Sequence, residues 1–418
     1  MALRIEDYAL IGDTRTAALV GKDGSIDWLC VPRFDSPACF AALLGKPENG
    51  RWLLAPSCEV KRVHRHYRDA TLVLDTEFET EAGSVVITDF MPHPNLDGQV
   101  DIIRMVRGRS GRVPMRMELL LRFGYGQIVP WVRRREYGLR AVAGPNAVRF
   151  QSPVNLVSKE FMTVAELILE PGQMLPFRFT WLPADDYGPR VGDVEDDLDN
   201  CQAWWHDWAS RCTVQGEWRE EVIRSLITLK ALTYSPSGGI VAAATTSLPE
   251  GLGGERNWDY RYCWIRDATF TLDALASSGF IQEARAWRQW LLRAAAGMPS
   301  QLQIMYSVTG ERQLTESEIG WLAGYEGSRP VRIGNAAHHQ LQLDVYGEIM
   351  DAFHEERMHG LMPLDDAWRL QQVLLDALEE IWHREDSGIW EMRGPPRDFT
   401  HSKVMAWVAV DRAIKAVE

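Results

Sequence analysis

No stretch of this 418-residue chain approaches the ~20 consecutive apolar residues of a bilayer-crossing helix, so no membrane span is expected. The opening, MALRIEDYALIG, lacks a basic segment followed by an apolar run, so no signal peptide is expected either, and a cytoplasmic location follows. Basic charge is in deficit. Lys and Arg number 45 against 58 Asp and Glu, and the resulting net charge of −13 argues against nucleic acid or an anionic membrane as partner. Cysteine is sparse and scattered: Cys30, Cys39, Cys58, Cys201, Cys212 and Cys263 form no CxxC pair, which points to reduced, buried thiols rather than zinc or disulfides. His338-His339 followed by Asp344 lacks zinc-site spacing, so no metal and no cofactor are expected.

Tryptophan, by contrast, is plentiful at 17 residues, and two of them lie in the stretch Asn257–Leu275, NWDYRYCWIRDATFTLDAL. Its first eleven residues hold four aromatics, two arginines and two aspartates, too polar for a plain core and too aromatic for a plain surface. Flat apolar platforms beside fixed Asp and Arg hydrogen-bonders suit a sugar, whose ring face is apolar and whose rim is hydroxyls. The plainer alternative is a helix start with Asp259 or Asp267 near the cap and the aromatics in the core.

Residues 1 to about 195 read as many short strands broken by Gly, Pro and Asp, an antiparallel sandwich. Gly21–Gly24 and Thr80–Gly83 mark two hairpins, and Ala38–Leu44 a short helical turn. The stretch Pro183–Asp199 is rich in Pro, Gly and acids and reads as a connector. Beyond it the pattern is helical: Asp199–Arg211, Glu217–Tyr234, Arg266–Ser278, Gln282–Ala295, Asn335–His359, Asp365–Arg384 and Ser402–Val417. Gly279 fits a helix C-terminus. Three long polar loops interrupt the helices, and such loops in compact domains tend to be functional.

In the third loop, DSGIWEMRGPPRDFTHSK, Glu391 follows Trp390. A carboxyl desolvated by an aromatic acquires the raised pKa that a general acid needs, although spacing alone favours a salt-bridged surface Glu. In the second loop, Arg329 and Arg332 flank Pro330 and read equally as guanidinium groups presented to hydroxyls or as an interhelix tie. Glu316 and Glu318 read as helix-cap acids. Asp344, Glu348 and Asp351 share one helix face, and their mutual repulsion calls for compensation by a site or by an Arg partner.

Four segments in order, NWDYRYCWIRD (257–267), GSRPVRIGN (327–335), QLQLDVYGE (340–348) and IWEMRGPPRDFTHSK (389–403), together resemble glycoside hydrolase family 15, the glucoamylases and bacterial trehalases. The opening IEDYALIGDTRTAALVGKDGSIDWLCVPRFDSPACFAALLG is similar to the N-terminal domain of the trehalase-like branch. The resemblance implies an α+β multidomain protein: a sandwich at 1–195, a linker helix at 196–215, and at 216–418 the first half of an (α/α)6 barrel. It implies an inverting exo-acting α-glucoside hydrolase. Trehalose is the leading substrate, maltooligosaccharides the second, and a phosphorylase or a sugar-binding protein without catalysis the remaining alternatives.

Residue by residue, the resemblance makes Glu391 the general acid and gives Trp264, Arg266 and Asp267 the terminal glucose, with Trp264 stacking on it. Trp258, Tyr306, Arg329, Arg332, Trp390, His401 and Lys403 complete the candidate sugar contacts. Met392 departs from the fungal glucoamylases, which carry a second Glu there. The family's general base lies in a C-terminal half that these residues do not match. The expectation is a fragment, or a chain completed by another, poorly active alone; a homo-oligomer is also allowed.

Overall fold

A computed structural model describes residues 2–94, 98–186, 192–362 and 364–418. The chain divides into two compact units. The first is Met1–Ser210 with Ser247–Asn257 and Ile319–Val331; the second is Arg211–Thr246, Trp258–Glu318 and Arg332–Glu418.

In the first unit, alternating apolar and polar residues build two antiparallel sheets. One contains β1 (Tyr8–Gly12), β2 (Ala17–Gly21), β3 (Ser25–Cys30), β4 (Ala38–Phe40), β5 (Arg51–Pro56), β10 (Val113–Leu120), β14 (Val157–Lys159) and β15 (Met162–Leu169). Its order is β1-β2-β3-β5-β10-β15-β14, with β4 beside β3. The other contains β6 (Val60–Tyr67), β7 (Leu74–Thr80), β8 (Gly83–Phe90), β9 (Val100–Gly111), β11 (Trp131–Arg135), β12 (Gly138–Ala143), β13 (Asn146–Gln151) and β16 (Met174–Pro183). It runs β11-β12-β13-β16-β9-β8-β7-β6.

Period-two alternation decides which face is buried. In β10, Val113, Met115, Met117 and Leu119 point inward while Arg116 is exposed. Trp52 of β5 meets Phe150 of β13 edge-on, with ring centroids 5.2 Å apart. The expected hairpins are present at β2–β3 and β7–β8, where Thr80 pairs with Gly83. Ala38–Leu44 is not a helical turn throughout. Ala38–Phe40 pairs with β3, and only Ala42–Leu44 forms a 3-10 turn. Part of the expected connector, residues 187–191, lies outside the described residues; the helix that follows runs Val194–Ser210.

In the second unit the helices are Arg219–Ala231, Ile265–Ser277, Ile281–Ala294, Asp344–Met358, Asp365–Ile381 and Thr400–Val417. Gly279, at φ +100°, follows the helix that ends at Ser277, and Phe280 N–H closes back on Leu275 O at 2.8 Å. Helix Asp344–Met358 packs against both Ile265–Ser277 and Thr400–Val417. The approach to the latter needs Gly347, where a Cβ would stand 2.3 Å from the Met405 carbonyl oxygen.

The helix expected over Asn335–His359 is broken. Asn335 caps a 3-10 turn at Ala336–His339 by accepting from Ala337 N–H; Gln340 is extended, and the α-helix begins at Asp344. No helix among the described residues is long and apolar enough to cross a membrane. All six cysteines are free, and all but Cys58 are buried.

Candidate active site

Two of the charges in the aromatic stretch serve local structure. Arg261, fully buried, donates from Nε to Asp259 Oδ1 at 2.9 Å and from Nη2 to Oδ2 at 2.6 Å. Asp259 Oδ2 also accepts from Gly334 N–H at 3.0 Å, and the Asp259 carbonyl from Asn335 Nδ2 at 3.3 Å. The fork geometry of guanidinium on carboxylate thus ties the first loop to the start of the 3-10 turn. Asp259 is therefore no helix cap. Asp267 does lie in the first turn of helix Ile265–Ser277, where the helix dipole favours an acid.

Trp264 precedes that helix. Cys263-Trp264 pairs with Met305-Tyr306 as a two-residue ribbon, which fixes the indole. Its Nε1 donates to Glu391 Oε1 at 2.5 Å, across 127 positions of sequence. Arg266 Nη2 lies 3.5 Å from the same oxygen and 3.3 Å from Asp267 Oδ2, while Nη1 donates to the Ile389 carbonyl at 3.1 Å. The first and third loops therefore meet at one carboxyl.

Glu391 sits on a tight turn with φ +52°, in the left-handed region that non-glycine residues occupy only under constraint. Its N–H bonds Gly388 O at 3.0 Å and Met392 N–H bonds Ser387 O at 3.1 Å. Buried Asp386 secures the base of the turn, accepting from Leu343 N–H at 2.9 Å and Gly388 N–H at 3.2 Å. Gln340 Nε2 reaches the Glu391 and Met392 carbonyls at 3.3 Å each. Burial pushes the Glu391 carboxyl above the usual range; the Trp264 N–H and Arg266 oppose that shift, and Asp267 reinforces it. A partly buried acid held by one indole donor, its pKa raised, can deliver a proton to a ligand oxygen.

Behind Arg266 lies Asp344, the first residue of its helix and fully buried. Its Oδ2 is 4.0 Å from Arg266 Nη1 and 4.0 Å from His401 Nδ1, and neither carboxylate oxygen has a hydrogen bond. One turn on, Glu348 accepts from the Thr269 hydroxyl at 3.0 Å and is pushed up to about 7, chiefly by burial. Asp351 has the duller answer, an Arg partner: Arg412 Nε at 2.6 Å.

A second cluster surrounds Trp258. The Arg332 and Arg393 guanidinium groups stand 4.6 and 4.3 Å from its ring centroid, a cation–π arrangement. Glu316 lies 3.6 Å from Arg332 and 3.4 Å from Arg393, and accepts from Ala336 N–H at 3.0 Å; that last bond is the helix-cap role expected of it. Glu318 instead lies in a two-residue ribbon against Arg332.

Several expected sugar contacts are elsewhere. Tyr306 is fully buried, its hydroxyl accepting from Gln303 N–H at 3.0 Å, so it offers no surface to a ligand. Trp264, 2% exposed, cannot stack on a sugar; its accessible chemistry is spent on Glu391. Trp390 is 82% exposed, so the aromatic against the Glu391 carboxyl is Trp264 and not its sequence neighbour. Lys403 Nζ donates to the Trp382 and Arg384 carbonyls, beyond the end of helix Asp365–Ile381. Arg329 belongs to the first unit, where its Nε faces Ala323 O at 3.4 Å. Asp386 and Gln340 were not anticipated; Arg393, one of the cations expected near Glu391, does oppose its upward shift. Asp344 was flagged by spacing alone.

Residues 216–418 match the model of glycosyl hydrolases family 15, and residues 1–174 match that of the trehalase-like N-terminal region. A trehalase of Mycobacterium tuberculosis is 34% identical over 99% of this chain and 65% of its own length. A trehalase of Thermoplasma volcanium is 34% identical over 98% of this chain and 66% of its own. Trehalase 1 of Sulfolobus acidocaldarius is 36% identical over 99% and 71%. The chain thus spans about two thirds of the length of these relatives. A bacterial glucoamylase solved with acarbose shares the fold at TM-score 0.62 and 10% identity, covering 99% of this chain and 66% of that one. Identity of this extent, spread over both units, establishes that the chain belongs to glycosyl hydrolase family 15, with a trehalase-like N-terminal region.

Proposed function

We propose that this chain carries the acid half of an inverting, exo-acting α-glucoside hydrolase, with α,α-trehalose as substrate. The observation that carries the reading is the Trp264 Nε1–Glu391 Oε1 hydrogen bond, which sets a partly buried, upward-shifted carboxyl beside Arg266 and Asp267. Glu391 protonates the glycosidic oxygen. Arg266 and Asp267 hold the terminal glucose through its hydroxyls, and Trp264 acts on Glu391 rather than on the sugar. Trp258, Arg332, Trp390 and His401 remain candidate contacts around it. The trehalase names of the relatives and the trehalase-like N-terminal match favour trehalose over maltooligosaccharides.

In the terms of this family, residues 1–195 are the sandwich, 196–215 the linker helix and 216–418 the first half of an (α/α)6 barrel. Helix Thr400–Val417 supports the barrel: Val404, Trp407, Val410, Ile414 and Val417 form an exposed apolar stripe suited to a further helix. Inversion needs a second carboxylate, typically ~6.5–9.5 Å from the acid, to activate water. None of the described residues is assigned that role. The six free thiols fit a reducing compartment.

The test is glucose release from trehalose, maltose and isomaltose, with the anomer of the product followed by NMR. Trehalose should be cleaved best, with β-glucose appearing first from the reacting ring. Glu391→Gln should lower the rate ~10²–10⁴-fold. Retention of most activity by that variant would remove Glu391 as the acid. Trehalose binding without turnover would favour the sugar-binding alternative.

A further inference from the structure

Asp344 is a poorly satisfied charge of the described helical unit. It is fully buried, yet neither carboxylate oxygen accepts a hydrogen bond. Burying a carboxylate with its nearest cations no closer than 4.0 Å costs stability, so a contribution to folding is a poor explanation for it. Direct sugar contact is also a poor one, because the residue has no exposed surface for a hydroxyl to reach.

What faces Asp344 is specific. Arg266 Nη1, from helix Ile265–Ser277, is 4.0 Å away, and His401 Nδ1, from helix Thr400–Val417, is also 4.0 Å away. Burial pushes the Asp344 carboxyl up and Asp386, from the loop before Glu391, reinforces that shift, while Arg266 and His401 oppose it and favour the ionised form. Arg266 is consequently shared among three carboxylates: Asp267 at 3.3 Å, Glu391 at 3.5 Å and Asp344 at 4.0 Å.

We propose that Asp344 is a positioning residue for the acid: its buried charge draws the Arg266 guanidinium back, so that less of that positive charge falls on Glu391. This rests on the reading of Glu391 as proton donor. A cation at full strength beside the carboxyl would stabilise its ionised form and strip the proton too early. Asp344 prevents this without touching the substrate, and its negative charge also repels a second anion at Glu391. Arg266 remains free to bind a sugar hydroxyl while the acid stays protonated.

The Trp264 indole offers a readout that needs no turnover, because its N–H is bonded to Glu391 Oε1. Its NMR resonance, assigned by its loss in Trp264→Phe, should titrate with the ionisation of Glu391. In the full chain, Asp344→Asn should lower the midpoint of that titration by about one pH unit, as expected for removing one nearby charge at intermediate dielectric. Asp344→Glu, which keeps the charge, should leave the midpoint near the wild-type value. The Asn variant should melt no earlier than wild type, and the alkaline limb of kcat should shift down with the indole midpoint. An unmoved or raised midpoint overturns the proposal. So does a variant that fails to fold, since that would make Asp344 a structural residue. Glucose release tests the hydrolase reading separately, and the indole result, which needs no turnover, decides this one.

Discussion

Each unit buries an Arg–Asp pair, and the two pairs are finished differently. In the sandwich, Arg104 donates to Asp89 at 2.7 Å, to the Trp52 carbonyl at 3.0 Å and to the Gly24 carbonyl at 2.9 Å. Asp89 and Arg104 sit on β8 and β9, whereas Trp52 is on β5 of the other sheet and Gly24 in the turn between its strands β2 and β3, so one guanidinium laces two layers. In the helical unit, Arg266 has three carboxylates for neighbours, and one of them, Asp344, has its nearest cations 4.0 Å away. A completed network contributes to a fold. An incomplete one costs stability and persists where charge must remain available to a ligand or to a proton.

The sharpest way to break this comparison is to spoil the completed pair. Arg104→Met leaves Asp89 buried with no cation and strands two carbonyls, so unfolding free energy should fall by about 3–5 kcal/mol in chemical denaturation. Adding Asp89→Leu should recover only part of that loss, because the Trp52 and Gly24 carbonyls stay unpaired. Full recovery would mean that the lacing of the two sheets contributes little.

The converse test concerns an acid in the helical unit. Glu348 is pushed up to about 7 by burial, from an ordinary value of 4.5. The folded state therefore holds its proton more tightly than the unfolded state. Its favourable contribution is complete below pH 4.5 and is lost as pH rises through about 7. Glu348→Gln keeps an acceptor for the Thr269 hydroxyl and removes the titration. It should be more stable than wild type by about 3 kcal/mol above neutrality, with the difference vanishing in acid. Melting temperatures of both proteins across that range check the sign; a Gln variant less stable than wild type at pH 8 would contradict it.

These contrasts explain which parts of the molecule were legible in the sequence. Hairpins at Gly21–Gly24 and Thr80–Gly83 could be read because turn chemistry and alternation are local properties. Helix Ile281–Ala294 could be read from its buried face of Ala284, Trp287, Trp290 and Leu291. The break after Asn335 could not, because it depends on Asp386, some fifty residues on, accepting from the Leu343 N–H. At the site, motif resemblance pointed to Glu391 beside Arg266. Adjacency then misled, since Trp390 is next in sequence and exposed, while Trp264 is distant in sequence and bonded to the acid. The i,i+4 spacing of Asp344 and Glu348 announced a tension without revealing that Arg266 and Thr269 answer it. Whether a charge is completed or left wanting is a property of tertiary neighbours, and no local pattern carries it.

Lys403 gives the smallest expected effect and the cleanest separation of the two kinds of charge. Resemblance made it a candidate sugar contact, but its Nζ donates to Trp382 O at 3.0 Å and Arg384 O at 2.5 Å, with Asp398 at 3.1 Å. An ammonium against the carbonyls just past a helix C-terminus is the arrangement the dipole favours, and its acceptors are already filled. Lys403→Ala should therefore lower stability by about 1 kcal/mol or less and leave KM for trehalose where it was. A tenfold rise in KM with unchanged stability would return Lys403 to the site and show that a completed set of hydrogen bonds can be surrendered to a ligand.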